Sequence, residues 1–325
     1  MSCEAGSHLD LIQRIVQTQL GATAELMVDR SPGFSGSFVY AVDLVSPSAH
    51  LPCIVKLIPD RPDDQDVTNR VYGSHAASFR AAYALLHQYA IPLPQLYLAL
   101  TPQPTVPFYC YVMERLPGED VQTLRARLSG PSLAHLDAIV GQHLGAIHSI
   151  TRSYDGWADL PTPHPLCWRE AFFTALHTNL ERACIHARIR KRRRQIVQTV
   201  DQYAAAWIDP PWFVLSHGDG LQGMLVPNAT SWSLTGVIDI EDHCFTDPRF
   251  ALAVYELSMG HASLRDSFWE AYQHHTTLDH SYRLFRPLFH LYVLLDWLLN
   301  IPPTRQHNIE KLTRQIVLRC AATGW

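Results

Sequence analysis

Two aspartates, Asp219 and Asp239, stand at the ends of short apolar runs within the stretch Trp212 to Asp247, WFVLSHGDGLQGMLVPNATSWSLTGVIDIEDHCFTD. The runs Trp212 to Leu215 and Leu234 to Ile238 have the length and composition of strands, and a strand ending in an acid delivers it to one edge of a sheet. Leu225 and Val226, followed by Pro227, Asn228 and Ala229, predict another strand and a turn between them. The stretch is therefore expected to fold as a β-rich loop with both carboxylates on one side. Such a pair could act as a general base and a metal ligand.

Further chemistry is suggested upstream. In Ser31-Pro-Gly-Phe-Ser-Gly-Ser37, Gly33 and Gly36 would let backbone N–H groups approach a phosphate closely, and an ordinary hairpin turn is the other reading. The strand-like run Cys53 to Ile58 is interrupted by one cation, Lys56. A lysine in a buried strand needs an anionic partner, because an unpaired buried charge costs several kcal/mol; on an edge strand it could point to solvent instead. Its place downstream of the glycine loop favours a phosphate contact.

These residues need a scaffold, and the composition allows a large one. The 325 residues are 47% hydrophobic, which supplies core for a two-lobed unit or two domains. Aromatic content of 10% and charged content of 17% exclude a largely disordered chain. A net charge of −4 makes neither nucleic acid nor an acidic membrane the default partner. The seven cysteines are scattered and never paired at metal-binding spacing, which predicts free thiols in a reducing, cytoplasmic setting. No signal peptide or membrane span is expected, since Leu288 to Leu299 is interrupted by His290 and Asp296.

Periodicity predicts a leading helix over Leu9 to Gln19, strands from Ala24 to Pro59, and a helix from about Thr68 to Tyr89. Strands at Leu96 to Leu100 and Phe108 to Met113 follow, and Pro117 and Gly118 mark a boundary where the chain would cross between lobes. Beyond it the pattern is helical: a helix started by Pro131 and Ser132, then Trp168 to Ala187, Arg194 to Trp207, Pro248 to Gly260, Ser263 to Gln273, Tyr282 to Leu299 and Thr304 to Leu318. Arg188 to Arg194 holds six basic residues in seven; taking its +6 out of −4 leaves −10 on the rest. It reads as a solvated junction between helices rather than a nucleic-acid patch, having no interleaved aromatics. His274, His275 and His280 invite a metal reading, against which stands the fact that adjacent histidines on a helix point in different directions.

The order of glycine loop, strand lysine, helix, hinge, helical lobe, His-x-Asp and second Asp resembles the aminoglycoside phosphotransferase and choline kinase group. The most specific part is Leu215-Ser-His-Gly-Asp219 with Gly236-Val-Ile-Asp239 and Asp247-Pro248. The resemblance implies an α+β, bilobal protein-kinase-like fold: a small antiparallel β-sheet N-lobe over 1–114 with the leading helix, a hinge at 115–119, and a larger, mainly helical C-lobe over 120–325. It implies an ATP-dependent (or GTP-dependent) transfer of a phosphoryl group to a hydroxyl of a small molecule, with Mg²⁺. Ser35, Gly36, Ser37 and Lys56 would contact the nucleotide phosphates, and Met113, Glu114 and the residues to Gly118 would lie near the adenine. Asp219 would orient or deprotonate the acceptor, His217 would brace the catalytic loop, and Asp239 would hold Mg²⁺.

Several positions depart from the family pattern. Met224 stands where the family has an asparagine, and a thioether is a poor Mg²⁺ ligand. No acid lies between Val71 and Gln88, where the family has a glutamate that pairs with the strand lysine, and Ala251 replaces the second acid of Asp-Pro-x-x-Asp. Asp60, Asp63, Asp64 or Asp66 could approach Lys56 instead; Gln222, Asn228, Glu241 or Asp242 could supplement the metal site. The departures keep open an alternative, a degenerate kinase fold acting as a nucleotide-binding pseudoenzyme or as a cleft for other chemistry on a small metabolite.

Overall fold

Leu11, Ile12, Ile15 and Val16 recur at helical spacing, and helix α1 (Ser2–Leu20) buries all four against one face of an antiparallel sheet. The computed structural model describes residues 2–29, 37–47, 49–60, 76–161, 163, 166–218, 223–226, 233–259, 264–277, 280–301 and 306–322. The sheet comprises β1 (Thr23–Asp29), β2 (Phe38–Ser46), β3 (Ala49–Pro59), β4 (Leu96–Leu100) and β5 (Phe108–Glu114), in the order β1-β2-β3-β5-β4.

Strand alternation divides the sheet into two faces. Cys53, Val55 and Leu57 of β3, with Cys110 and Val112 of β5, join α1 in an outer cluster. Ile54 and Ile58, with Tyr111 and Met113, belong instead to the main core on the inner face. Helix α2 (Phe79–Gln88), preceded by a 3₁₀ turn at Ala76–Ser78, packs on that inner face by stacking Phe79 on Tyr111, ring centroids 3.9 Å apart. The helix expected from Thr68 thus starts later among the described residues; 61–75 lie outside them.

Past residues 115–118 the chain forms β6 (Glu119–Asp120) and α3 (Val121–Arg127), which Asp120 caps by accepting from the Thr123 N–H at 2.8 Å. Helix α4 (Gly130–His148) follows, then the short strands β7 (Thr151–Arg152) and β8 (Gly156–Trp157), α5 (Trp168–Ala183) and α6 (Ala187–Ala205). The predicted strands in the acidic stretch are β9 (Phe213–His217), β10 (Met224–Val226) and β11 (Gly236–Val237). A strand not anticipated, β12 (His243–Thr246), follows a second 3₁₀ turn at Ile240–Asp242. Helices α7 (Pro248–Ser258), α8 (Asp266–Gln273), α9 (Tyr282–Asn300) and α10 (Gln306–Ala322) complete the lobe.

Two small sheets tie this lobe to the acidic stretch, one in the order β11-β10-β6 and one in the order β7-β9-β12-β8. Helices α4 and α8 meet almost backbone to backbone: a Cβ on Gly141 would fall 2.3 Å from the Phe268 carbonyl oxygen, so no larger residue fits there. Trp168, Phe172, Phe250, Phe289 and Tyr292 form the aromatic centre of the core. At the head of α7, Asp247 accepts from the Arg249 N–H at 2.8 Å and pairs with the Arg249 guanidinium, both side chains essentially sealed from solvent.

The basic run does not separate two helices. It lies inside α6, because Ile189, Ile196, Val200 and Tyr203 continue one buried stripe through it while the cations occupy the remaining, exposed surface. Among the described residues, no helix is long and apolar enough to cross a membrane.

Candidate active site

Strand β3 is central in its sheet, so Lys56 has no edge from which to reach solvent. Its side chain lies on the inner face and the residue is only 7% exposed. The Nζ donates to Asp239 Oδ1 at 2.7 Å and forms a second, close ion pair with Glu241. Asp239 adopts the left-handed conformation, φ 56° and ψ 51°, which aspartate tolerates better than most residues. The 3₁₀ turn that follows swings Glu241 back, so acids two positions apart converge on one ammonium. Burial works to discharge Lys56, but Asp239, Glu241 and Asp242 together more than reverse this and hold its pKa well above the ordinary lysine value. Burial pushes the Glu241 carboxyl upward, with Lys56 opposing.

His217, at the end of β9, is fully buried. Its Nε2 lies 2.6 Å from the Ile238 carbonyl oxygen, which can only accept, so this nitrogen carries the proton and donates it to the residue before Asp239. Gly223 makes that contact possible, since a Cβ there would sit 2.1 Å from His217 Nε2. The Gly218 N–H donates to the Asp242 carbonyl oxygen at 3.0 Å and the Ile238 N–H to that of Gly223 at 2.8 Å. The end of β9 and the Asp239 turn are thus clamped together on both sides of residues 219–222.

Burial lowers the His217 pKa, drops that of His243 well below the usual value with His217 contributing, and pushes His148 down to about 3. A histidine with a depressed folded-state pKa contributes stability above its unfolded value of about 6.5 and loses it as pH falls toward the folded value. Between pH 6.5 and 5, each should cost up to about 1.4 kcal/mol per pH unit. Urea unfolding across this range should show the decline, and His148→Gln should flatten it by about one proton's worth.

Of the residues expected to carry function, the structure brings together Lys56 and Asp239, with His217 attached through Ile238. Met113 is buried on the inner face two positions along β5 from Tyr111, the cross-strand partner of Lys56. The Glu114 carboxylate accepts from the Gln95 N–H at 3.1 Å, and Ser37 is buried at the start of β2. Asp219, Ser35 and Gly36 lie outside the described residues, as do Asp63, Asp64, Asp66, Gln222 and Asn228. Asp60 is exposed, and Glu241 rather than that loop's first acid meets Lys56. The signal for it is the acid-x-acid spacing of Asp239 and Glu241, which by sequence alone suggests a supplement to the metal site.

Residues 54–285 match the model of the phosphotransferase enzyme family, a span running from the strand of Lys56 into α9. The chain belongs to that family. No curated protein matches it. Among solved structures, a thermostable mutant of aminoglycoside phosphotransferase APH(4)-Ia, crystallised with AMP-PNP and hygromycin B, is 14% identical with a TM-score of 0.65, covering 96% of this chain and 99% of that one. A mutant aminoglycoside 2'-phosphotransferase IIIa in complex with GDP is 14% identical with a TM-score of 0.64, over 97% and 98% of the two chains. A GDP and kanamycin complex of APH(2")-IIIa is 15% identical with a TM-score of 0.59, over 97% and 99%. These likenesses establish the bilobal kinase-like fold.

Within this phosphotransferase fold the departures have defined surroundings. Met224 is fully buried in the main core, paired in register with Val237. Ala251 is buried in α7. Met224→Asn is therefore expected to place an amide among apolar neighbours and to lower stability by about 1–3 kcal/mol in urea unfolding.

Proposed function

We propose that this cleft transfers the γ-phosphoryl group of ATP or GTP to a hydroxyl of a small molecule. The observation that carries the reading is the ion pair between buried Lys56 and partly exposed Asp239 inside the family-matched span. Ser35, Gly36, Ser37 and Lys56 would contact the nucleotide phosphates. Met113, Glu114 and the chain to Gly118 would border the adenine where the lobes join, at a hinge over 115–119 between an N-lobe of 1–114 and a C-lobe of 120–325. Asp219 would take the acceptor's proton as its oxygen bonds to phosphorus and the bond to the leaving nucleoside diphosphate breaks. His217, neutral and clamped to Ile238, would fix the spacing between the Asp219 loop and Asp239. Phosphoryl transfer relies mainly on such positioning and on cations over the developing charge.

The residues present fit Mg²⁺. Lys56 faces two carboxylates, leaving one negative charge in surplus, and the Asp239 side chain stays 29% exposed to solvent. Among the described residues no three His, Cys, Asp or Glu side chains could hold a metal by themselves. The nucleotide phosphates would supply the remaining oxygens, as is usual for Mg²⁺. When bound, the ion neutralises charge on the transferring phosphoryl group.

The nucleotides and antibiotics in the related structures support nucleotide use and a small-molecule acceptor. The free thiols of Cys53, Cys110, Cys167, Cys184 and Cys244 support a cytoplasmic setting. Nucleoside diphosphate release should be measured with a panel of hydroxylated compounds, with and without Mg²⁺. Turnover that Asp219→Asn abolishes supports the proposal; none with any acceptor, or turnover indifferent to Mg²⁺, contradicts it.

A further inference from the structure

We propose that Glu241 is the positioning residue that holds Lys56 in place, so that Asp239 is free to exchange the lysine for a metal-bound nucleotide. The assignment rests on the phosphotransferase reading and specifies how that site keeps its lysine. Three observations carry it.

Helix α2 brings no acid to the lysine: its sequence FRAAYALLHQ contains none, and its first residue meets the sheet as an aromatic ring. Phe79 stacks on Tyr111, whose hydroxyl donates to the Ala76 carbonyl oxygen at 2.5 Å. Tyr111 is the direct cross-strand partner of Lys56, so among the described residues stacked rings, and no acid of α2, stand on the helix side of the lysine.

The two acids on Lys56 also differ in their freedom. Glu241 is 1% exposed and fixed in the 3₁₀ turn, whereas the Asp239 side chain is 29% exposed. A ligand arriving from solvent can engage Asp239 and has no comparable access to Glu241. Finally, the Glu241 carboxylate is sealed from solvent, and beside its own backbone N–H it has Lys56 as the cationic side chain that compensates its charge among the described residues. When Asp239 turns to a cation, Glu241 still neutralises Lys56 and keeps its ammonium aimed at the phosphates.

The test compares wild type, Glu241→Gln and Glu241→Asp, using a nucleoside acyl-phosphate probe whose electrophilic carbonyl lies at the end of the phosphate chain. Labelling is read by peptide mass spectrometry, with the exposed Lys191 and Lys311 as internal references. Glu241→Gln should lower Lys56 labelling and kcat by about 10²-fold, the scale of a misplacement of about 1 Å. The nucleotide KM and the Mg²⁺ concentration for half-maximal rate should stay within about threefold, and Glu241→Asp, which keeps the charge, should recover much of both losses. Undiminished Lys56 labelling in folded Glu241→Gln overturns the assignment, as does a raised Mg²⁺ requirement with labelling intact. If the glutamine variant does not fold, Glu241→Asp decides alone: Lys56 labelling above one tenth of wild type supports the assignment, and lower labelling with normal folding overturns it. Failure of wild-type Lys56 to label at all instead contradicts the nucleotide-binding reading beneath it.

Discussion

Lys56→Met should reduce kcat/KM for nucleotide by about 10²–10³-fold, the usual cost of removing one preorganised charge contact from a transition state. Methionine fills much of the same volume on the inner face, so the sheet should persist. What it cannot do is compensate two carboxylates. Glu241 is buried and already displaced upward in pKa by desolvation, and Lys56 is the cation that opposes that displacement. Without it, Glu241 should take up a proton. A carboxyl whose folded-state pKa lies above its unfolded value contributes stability below the unfolded value and loses it as pH rises through the folded one. The stability deficit of Lys56→Met relative to wild type should therefore widen from pH 5 to pH 8, approaching the roughly 3–5 kcal/mol typical of breaking a buried ion pair. Urea unfolding at the two pH values, alongside initial rates, checks both parts; an equal deficit at both would mean that Lys56 does not neutralise Glu241.

The largest effect on stability alone is expected at Arg249. Its guanidinium holds Asp247 through contacts of 2.6, 2.9 and 3.1 Å, donates to the Ile208 carbonyl oxygen at 2.7 Å and to Ser281 Oγ at 2.9 Å, and lies 4.8 Å from the centre of the Phe285 ring. It therefore joins the head of α7 to the chain after α6 and to the start of α9. Burial raises the Asp247 pKa, opposed first by the Arg249 guanidinium and then by the backbone N–H groups of Arg249 and Phe250. Arg249→Met should cost about 3–5 kcal/mol, because it strands Asp247 and leaves the Ile208 carbonyl unmatched. Adding Asp247→Asn should recover part of that loss, since the stranded charge is then gone. Denaturant midpoints of the single and double variants measure the recovery; a double variant no more stable than Arg249→Met would place the cost elsewhere.

What could be read from the chain followed from how local each cause is. Strands β4 and β5 and helices α7 and α9 fall within one or two residues of their apolar patterns, because alternation and helical spacing report burial directly. For Lys56 one charge in an apolar strand left two readings open, an anionic partner or an edge facing solvent, and the central place of β3 decides for the anion. Which anion it meets was not legible. Glu241 is distant in sequence and reaches the lysine only through the left-handed turn at Asp239, a conformation that no periodicity announces. Strand β12 was hidden for a related reason: His243 has little strand character of its own and is held by pairing with His217. The basic run misled in the other direction. Six charges obscured Ile189, the single apolar residue that continues the buried stripe of α6.

A calorimetric titration of the intact chain with ATP and with GTP, each with and without Mg²⁺, tests most directly whether the cleft's lysine and aspartate receive a nucleotide together with a divalent cation. A ligand at 100 times its Kd stabilises the native state by about 2.7 kcal/mol, so parallel thermal unfolding gives a second reading of the same event. The account predicts saturable binding of at least one nucleotide, strengthened by Mg²⁺ and lost in Lys56→Met. No binding of either nucleotide with Mg²⁺ present, or binding that Lys56→Met leaves intact, would contradict it.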